Sequence, residues 1–303
     1  MRAAQKAGAQ LYCMEQDHLF LRDQQAFAVM TAITVTDDNE NWYTIGETVE
    51  APLTDLNAVF MRKDPPVDKR FIHTTYVLEQ AEQDGVLMVN PAHTLRKFNE
   101  KIFATAFPKY TPAYTIGADK SIFESFLNTH EKIIMKPLDG MGGEGVFMIE
   151  KGDVNFSVIW ETLTNHGQYP IVAQKFVPEI SAGDKRILII DGQAFPYMLV
   201  RLPQDGSIRG NLAVSGDFEV RELSEKDHEI ASAVGLRLKQ EDILLAGIDI
   251  IGEALTEVNI TSPTGFREIA NVTGMDPADI LVEKVFELLE DKKTALQQNK
   301  KVA

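Results

Sequence analysis

Short apolar runs alternate with amphipathic stretches along most of this chain. Residues 11–14 and 27–35 read as strands separated by polar turns. The run 56–61 reads as a buried strand that stops abruptly at Arg62, Lys63 and Asp64, ahead of Pro65 and Pro66. Apolar spacing predicts a helix over 71–83, a strand over 86–89 and one further helix over 94–107. Strands alternating with helices favour a parallel, doubly wound sheet in the first third of the chain. Ligands of such sheets sit at the carboxyl ends of strands, the position that Arg62, Lys63 and Asp64 occupy. A charged loop would look the same. Residues 2–8 look like the end of a helix, whereas a doubly wound sheet begins with a strand, so a first strand is expected to be missing.

Beyond about residue 108 the texture changes. Residues 121–129 form a short helix pattern, and 132–149 read as strand, glycine-rich loop, strand. A strand follows over 171–177, then Gly183 to Arg186 lead into the apolar run 187–190, with Asp191 and Gly192 as a hairpin turn. Residues 202–217 are too polar for core and too long for a tight turn, which suits a lid. Ser224 and Asp227 have capping-box spacing and start a helix running to about 240. Two strands, 244–251 and 255–260, precede a last helix that starts at Pro277, with its Lys-rich end 292–301 expected to fray.

The glycine loop carries the sharpest chemistry. Gly140, Gly142, Gly143 and Gly145 let backbone N–H groups turn toward a phosphate, and Lys136 stands at the rim. Neither better-known phosphate loop fits. A dinucleotide fingerprint must open a helix, but the β-like run 146–149 follows; a Walker loop needs Lys-Ser/Thr where Val146 and Phe147 stand. What remains is a flap between two strands, as in kinases, with ATP as the leading ligand. A flexible surface hairpin would carry the same glycines.

A second patch lies at Glu257 and Asn259, two apart on a strand and therefore on one face. With a three-residue loop Asp249 would lie across from Glu257; with two residues it would face Thr256. Either way hard oxygen ligands gather, as a Mg²⁺ that shares substrate phosphates requires. Lys101 and Lys136 could each bond phosphate oxygens, or could be ordinary surface lysines.

Composition narrows the partners. At 303 residues the chain is expected to form about two domains, or one with a lid. Its formal charge of −15 argues against a general nucleic-acid binder. Cys13 is the one cysteine and cannot form an internal disulfide; its apolar neighbours suggest a buried strand position. No apolar run reaches membrane-span length and no signal peptide is visible, so the cytoplasm is the expected location. The six histidines show no ligand spacing.

Together these residues resemble the ATP-grasp carboxylate–amine ligases, and within them the bacterial glutathione synthetases. The likeness rests on the stretches 62–66, 99–101, 136–143, 183–186, 209–213 and 257–264. It implies an α/β ATP-grasp fold with a doubly wound N-terminal domain (1–97), a small lid domain (98–170) and a C-terminal α+β domain (171–303). Lys101, Lys136, Asp139 and the loop from Gly140 to Gly145 would bind ATP phosphates. Gln174, Lys175, Phe176 and Val177 would form the hinge against the adenine, with Asp184 near the ribose. Glu257 and Asn259 would hold Mg²⁺ (or Mn²⁺), with Asp249 serving a second ion. Arg186 and Arg201 would steady the transferring phosphoryl group, and Arg209 counts with them as catalytic. Arg62, Lys63, Asp64, Gly210, Asn211, Ser262, Thr264 and Arg267 would surround γ-glutamylcysteine and glycine. A homotetramer is expected by the same likeness. Chemistry agrees: a carboxylate phosphorylated by ATP reacts with an amine without any protein nucleophile. Two rival readings remain at this point, another ATP-grasp ligase (joining D-alanines, or adding amino acids to a protein terminus) and a nucleotide-binding scaffold without catalysis.

Overall fold

The computed structural model describes all residues except 39, 65, 141, 204–216 and 303. Helix α1 (Arg2–Lys6) leads into an antiparallel meander of β1 (Leu11–Cys13), β2 (Leu19–Arg22), β3 (Gln25–Val35) and β4 (Tyr43–Pro52). Asp23 and Gln24 form the β2–β3 turn, both at positive φ (49° and 66°), the geometry whose twist suits a tight hairpin. Along β3, buried Ala26, Ala28 and Met30 alternate with half-buried neighbours, so one face meets the core. A parallel pair follows, β5 (Ala58–Phe60) and β6 (Leu87–Val89), connected by α2 (Lys69–Gln83).

Two expectations change here. The doubly wound parallel sheet of the first third is confined, among the described residues, to β5 and β6. The earlier strands pair antiparallel because their connections are shorter than a crossover helix needs. Cys13 is exposed, not buried: β1 is a short edge strand, and apolar neighbours in sequence do not reveal an edge. As expected, Arg62 and Asp64 follow directly after β5. Helix α2 buries Phe71, Leu78 and Ala81 against Met30, Leu53, Val59 and Met88.

The single helix predicted over 94–107 is two, α3 (Ala92–Lys97) and α4 (Glu100–Ala104). Phe98 is extended (φ −113°, ψ 114°), and the Asn99 side-chain oxygen accepts from the N–H groups of Lys101 at 3.1 Å and Ile102 at 3.2 Å. Asn competes with the helix for backbone donors, so it starts a new helix where periodicity alone would continue the old one. Glu100 and Lys101 are thereby placed in the first turn of α4.

A four-stranded antiparallel sheet comes next, with β7 (Tyr114–Gly117), β8 (Lys132–Pro137), β9 (Phe147–Glu150) and β10 (Ile171–Lys175) in the order β7-β10-β8-β9. Helices α5 (Lys120–His130) and α6 (Phe156–Thr164) close its own core around Phe123, Ile133, Met135, Ile149 and Ile171. The last sheet has five strands, β11 (Asp184–Ile190), β12 (Gln193–Arg201), β13 (Phe218–Glu222), β14 (Leu245–Ile251) and β15 (Ala254–Asn259), in the order β13-β12-β11-β14-β15. Helix α7 (Glu225–Gln240) starts at the expected Ser224–Asp227 capping box and packs Ile230, Val234 and Leu238 on Ile187, Ile189 and Met198. Phe103 and Ala104 of α4 belong to this same core, so α4 is mounted on the five-stranded sheet. On the opposite face α8 (Phe266–Thr273) sets Ile269 against Leu188, Phe195 and Leu199. Helix α9 (Pro277–Val302) stays helical through the segment expected to fray. Among the described residues no helix is long and apolar enough to cross a membrane.

Candidate active site

The four-stranded and five-stranded sheets face each other across a cleft of about 540 Å³, lined from α4, the glycine flap, β10 with the residues after it, and β14–β15. The flap joins β8 to β9 as the sequence predicts. Gly142, Gly143 and Gly145 take φ of +65°, +77° and +69°, and a Cβ on Gly140 would stand 2.5 Å from Pro137 Cγ. Lys136, expected at the rim, is 6% exposed and donates to Glu257 Oε1 at 2.8 Å across the cleft.

On the facing sheet the β14–β15 turn has two residues, with Ile251 opposite Ala254 and Ile250 opposite Leu255. A bulge at Thr256 then adds one residue, so Asp249 faces Glu257 after all. Thr256 Oγ1 donates to the Asp249 carbonyl at 3.1 Å. Arg186 grips Asp249 through Nε and Nη2, the latter at 2.9 Å, and Arg201 reaches it at 3.0 Å. Lys101 lies 3.9 Å from Glu257, touches Glu100, and donates to the Gly140 carbonyl at 2.7 Å. Asn259 Nδ2 is 3.4 Å from Asp249 Oδ2.

These contacts decide the charges. Burial pushes both Asp249 and Glu257 upward, but Arg186 and Arg201 outweigh it at the first, as Lys136 and Lys101 do at the second, holding both carboxyls below their ordinary values. At Glu100 burial, reinforced by Glu257, wins over the Lys101 contact and pushes the carboxyl up to about 7. Asp184 is likewise pushed up to about 7 by burial, against the pull of Arg201. Among the described residues, buried Asp184 Oδ1 and Arg201 Nε have no hydrogen-bond partner.

Gln174, Lys175, Phe176 and Val177 all line the cleft, and so do Asp184, Arg186, Arg201 and Asp249. Gln174 also donates to the Thr256 carbonyl at 3.4 Å, bridging the two sheets. At the other end Arg62 Nη2 donates to the Pro263 carbonyl at 2.9 Å, Ser262 Oγ donates to the Arg62 carbonyl at 3.3 Å, and Asp64 is bonded to Thr261. Asp64, Ser262 and Thr264 line the cleft there. Among the described residues, five expected ones do not line it: Arg62, Lys63, Asp139, Gly145 and Arg267. Lys63 pairs with Glu15 at 2.6 Å on the outside, Arg267 is exposed on α8, and the charge of Asp139 acts on Lys101. Arg209, Gly210 and Asn211, with the expected lid, lie outside the described residues. Sequence reasoning gave no role to Glu100, Thr256 or Glu268, which also line the cleft. The pairing of Glu100 with Lys101 behind an Asn cap was a usable signal for the first; no sequence signal marks the bulge.

The chain matches the family model of the prokaryotic glutathione synthetase N-terminal domain over residues 1–96, and that of the prokaryotic glutathione synthetase ATP-grasp domain over 100–274. It is 46% identical over 291 residues to the glutathione synthetase of Pseudomonas syringae pv. tomato, covering 96% of this chain and 91% of that one. With the glutathione synthetase of Vibrio cholerae serotype O1 it shares 47% over 269 residues, covering 89% and 85%. Among solved structures it is similar to the ATP-grasp ligase PsnB complexed with a phosphomimetic variant of its minimal precursor, Mg and ADP (TM-score 0.60, 15% identity, 95% of this chain and 91% of that one). It is also similar to D-cycloserine synthetase DcsG (TM-score 0.62, 14% identity, 78% and 85%). At such identities these two speak for the fold, an α/β ATP-grasp. Family matches over both parts of the chain, close relatives along nearly all of it and a cleft of paired cations and carboxylates beneath a glycine flap converge: the chain belongs to the prokaryotic glutathione synthetase family.

Proposed function

We propose that the protein joins γ-glutamylcysteine to glycine, converting ATP to ADP and phosphate and giving glutathione. The observation that carries this reading is the convergence of Lys101, Lys136, Arg186 and Arg201 on Asp249 and Glu257 within one cleft under the flap. All four cations are buried, each is paired with a carboxylate of the cleft, and such a row of fixed charges suits a polyphosphate that brings its own metal ions.

In the first step a C-terminal carboxylate oxygen of γ-glutamylcysteine bonds to the γ-phosphorus, and the bond from that phosphorus to the ADP oxygen breaks. In the second, the glycine amine bonds to the acyl carbon, the carbon–oxygen bond to phosphate breaks, and the amine loses a proton. Lys101, Lys136, Asp139 and the flap residues Gly140, Gly142, Gly143 and Gly145 are assigned to the ATP phosphates. Gln174 to Val177 are assigned to the adenine and Asp184 to the ribose. Arg186, Arg201 and Arg209 would steady the phosphoryl group in flight. Arg62, Asp64, Ser262 and Thr264, with Lys63, Gly210, Asn211 and Arg267 around them, would hold the dipeptide and glycine. Closure of the flap would keep water from the acyl phosphate.

The donor set also fits Mg²⁺. Asp249, Glu257 and Asn259 offer hard oxygens on paired strands, and both carboxyls are held ionised. Among the described residues no cluster of three His, Cys, Asp or Glu side chains forms a full cage, which suits an ion that shares its shell with substrate phosphate. Two such ions, replaceable by Mn²⁺, would neutralise charge on the transferring phosphoryl group. Assembly into a homotetramer rests on the family likeness, and a cytoplasmic location is the expectation from the sequence. ADP release is expected to require Mg²⁺, ATP, γ-glutamylcysteine and glycine together, with glutathione formed in equal amount. Equal release with D-alanine replacing both acceptor and donor would contradict the reading.

A further inference from the structure

Asn99 does more than cap α4. Its side-chain oxygen accepts from the N–H groups of Lys101 and Ile102, while its Nδ2 donates to the carbonyl of Leu138, the first residue after β8, at 3.0 Å. The opposite amide orientation would set two donors against two N–H groups and an oxygen against a carbonyl, so the surroundings fix which way the amide points. These bonds cross a structural boundary. Helix α4 is anchored by Phe103 and Ala104 in the core of the five-stranded sheet, whereas β8 and β9 are packed in the separate core of the smaller sheet. The flap touches α4 at a second point, where Lys101 donates to the Gly140 carbonyl at 2.7 Å. That lysine is also assigned to phosphate, so its bond to the flap competes with substrate. The Asn99 amide has no such second duty.

We propose that Asn99 is a positioning residue, clasping the base of the flap to the body of the molecule so that the phosphate end of the cleft stays closed to water during turnover. The proposal rests on the reading of the flap as the cover of the ATP phosphates. The residue type follows from the task. Ser, Thr and Asp cap a helix as well as Asn does, but none of them also brings an N–H donor long enough to reach Leu138.

That difference separates the clasp from the cap. Asn99→Ser keeps a helix cap, adds no charge and cannot reach Leu138; Asn99→Asp keeps the cap and the shape but loses the donor. Glu144, exposed in the flap, gives a readout that needs no substrate, namely cutting of the full-length chain after Glu144 by a glutamate-specific protease. Without nucleotide both variants are expected to be cut roughly fivefold faster than wild type, the effect of losing one hydrogen bond, while Asn99→Ser keeps its thermal midpoint within about 4 °C of wild type. During turnover, ADP formed per glutathione should rise above one as water intercepts the acyl phosphate. A pure capping role predicts wild-type cutting and wild-type stoichiometry in Asn99→Ser, and that result would overturn the proposal. ATP should slow the cutting of wild type. If it does not, although Asn99→Ser is cut faster, the placement of ATP under the flap is overturned, and the coupling role of Asn99 falls with it.

Discussion

Glu257 is a half-buried carboxylate whose two lysine partners, Lys136 and Lys101, come from different elements. Replacing it removes a hard oxygen ligand and takes from buried Lys136 its carboxylate partner. Glu257→Ala should lower turnover by at least about a thousandfold while the far-ultraviolet dichroism stays native; near-normal turnover would remove it from the site. Glu257→Gln, which keeps the shape, should lose nearly as much. Glu100 predicts a pH effect. Its folded-state carboxyl sits at about 7 against an ordinary 4.5, so the folded protein binds that proton more tightly than the unfolded chain. Its contribution is therefore complete below about pH 4.5 and is lost as pH rises through about 7. Glutamine is neutral throughout. Glu100→Gln should accordingly gain on wild type between about pH 5 and about pH 8, by about 1–3 kcal/mol in denaturant titrations; a difference independent of pH would contradict the shift. Lys101, Lys136 and Glu257 were legible as candidates from residue type and spacing. The grouping of Asp184, Arg201, Arg186 and Asp249 was not, because cross-strand register decides it.

At the scale of elements, helix and strand periods located most of the chain, and the Asp191–Gly192 turn and the Ser224 cap were readable from turn and cap chemistry alone. Three features escaped. The break at Phe98 depends on Asn99 winning backbone donors from a helix whose apolar period continues. The bulge at Thr256 corrects the register of a two-residue turn and so sets Asp249 opposite Glu257. The N-terminal meander follows from connection lengths, which apolar runs do not encode. One packing contact gives a clean test. On α7, a Cβ at Gly235 would stand 2.1 Å from the Gly192 carbonyl oxygen in the β11–β12 turn. The helix would have to move off the sheet. Gly235→Ala should therefore cost about 1–3 kcal/mol, read as a lower thermal midpoint. Turnover below that midpoint should hold, because no residue of α7 lines the cleft. An unchanged midpoint would mean that the contact relaxes freely.

Across the whole molecule, an overall charge of −15 coexists with a cleft where Lys101, Lys136, Arg186 and Arg201 meet. Net charge spoke against a nucleic-acid partner but could not show this local cluster, since its members lie far apart in sequence and are joined by two facing sheets. The family likeness carried substrate identity, which no spacing rule supplies; the fold supplies the reason that the matching residues stand together. The central claim is that ATP activates the carboxylate of γ-glutamylcysteine as an acyl phosphate. Its most direct test is to label that carboxylate with heavy oxygen and follow the label through one round of synthesis. The account predicts one labelled oxygen in the released phosphate for each glutathione formed, because the carbon–oxygen bond breaks when glycine attacks. Glutathione formed with unlabelled phosphate would contradict it.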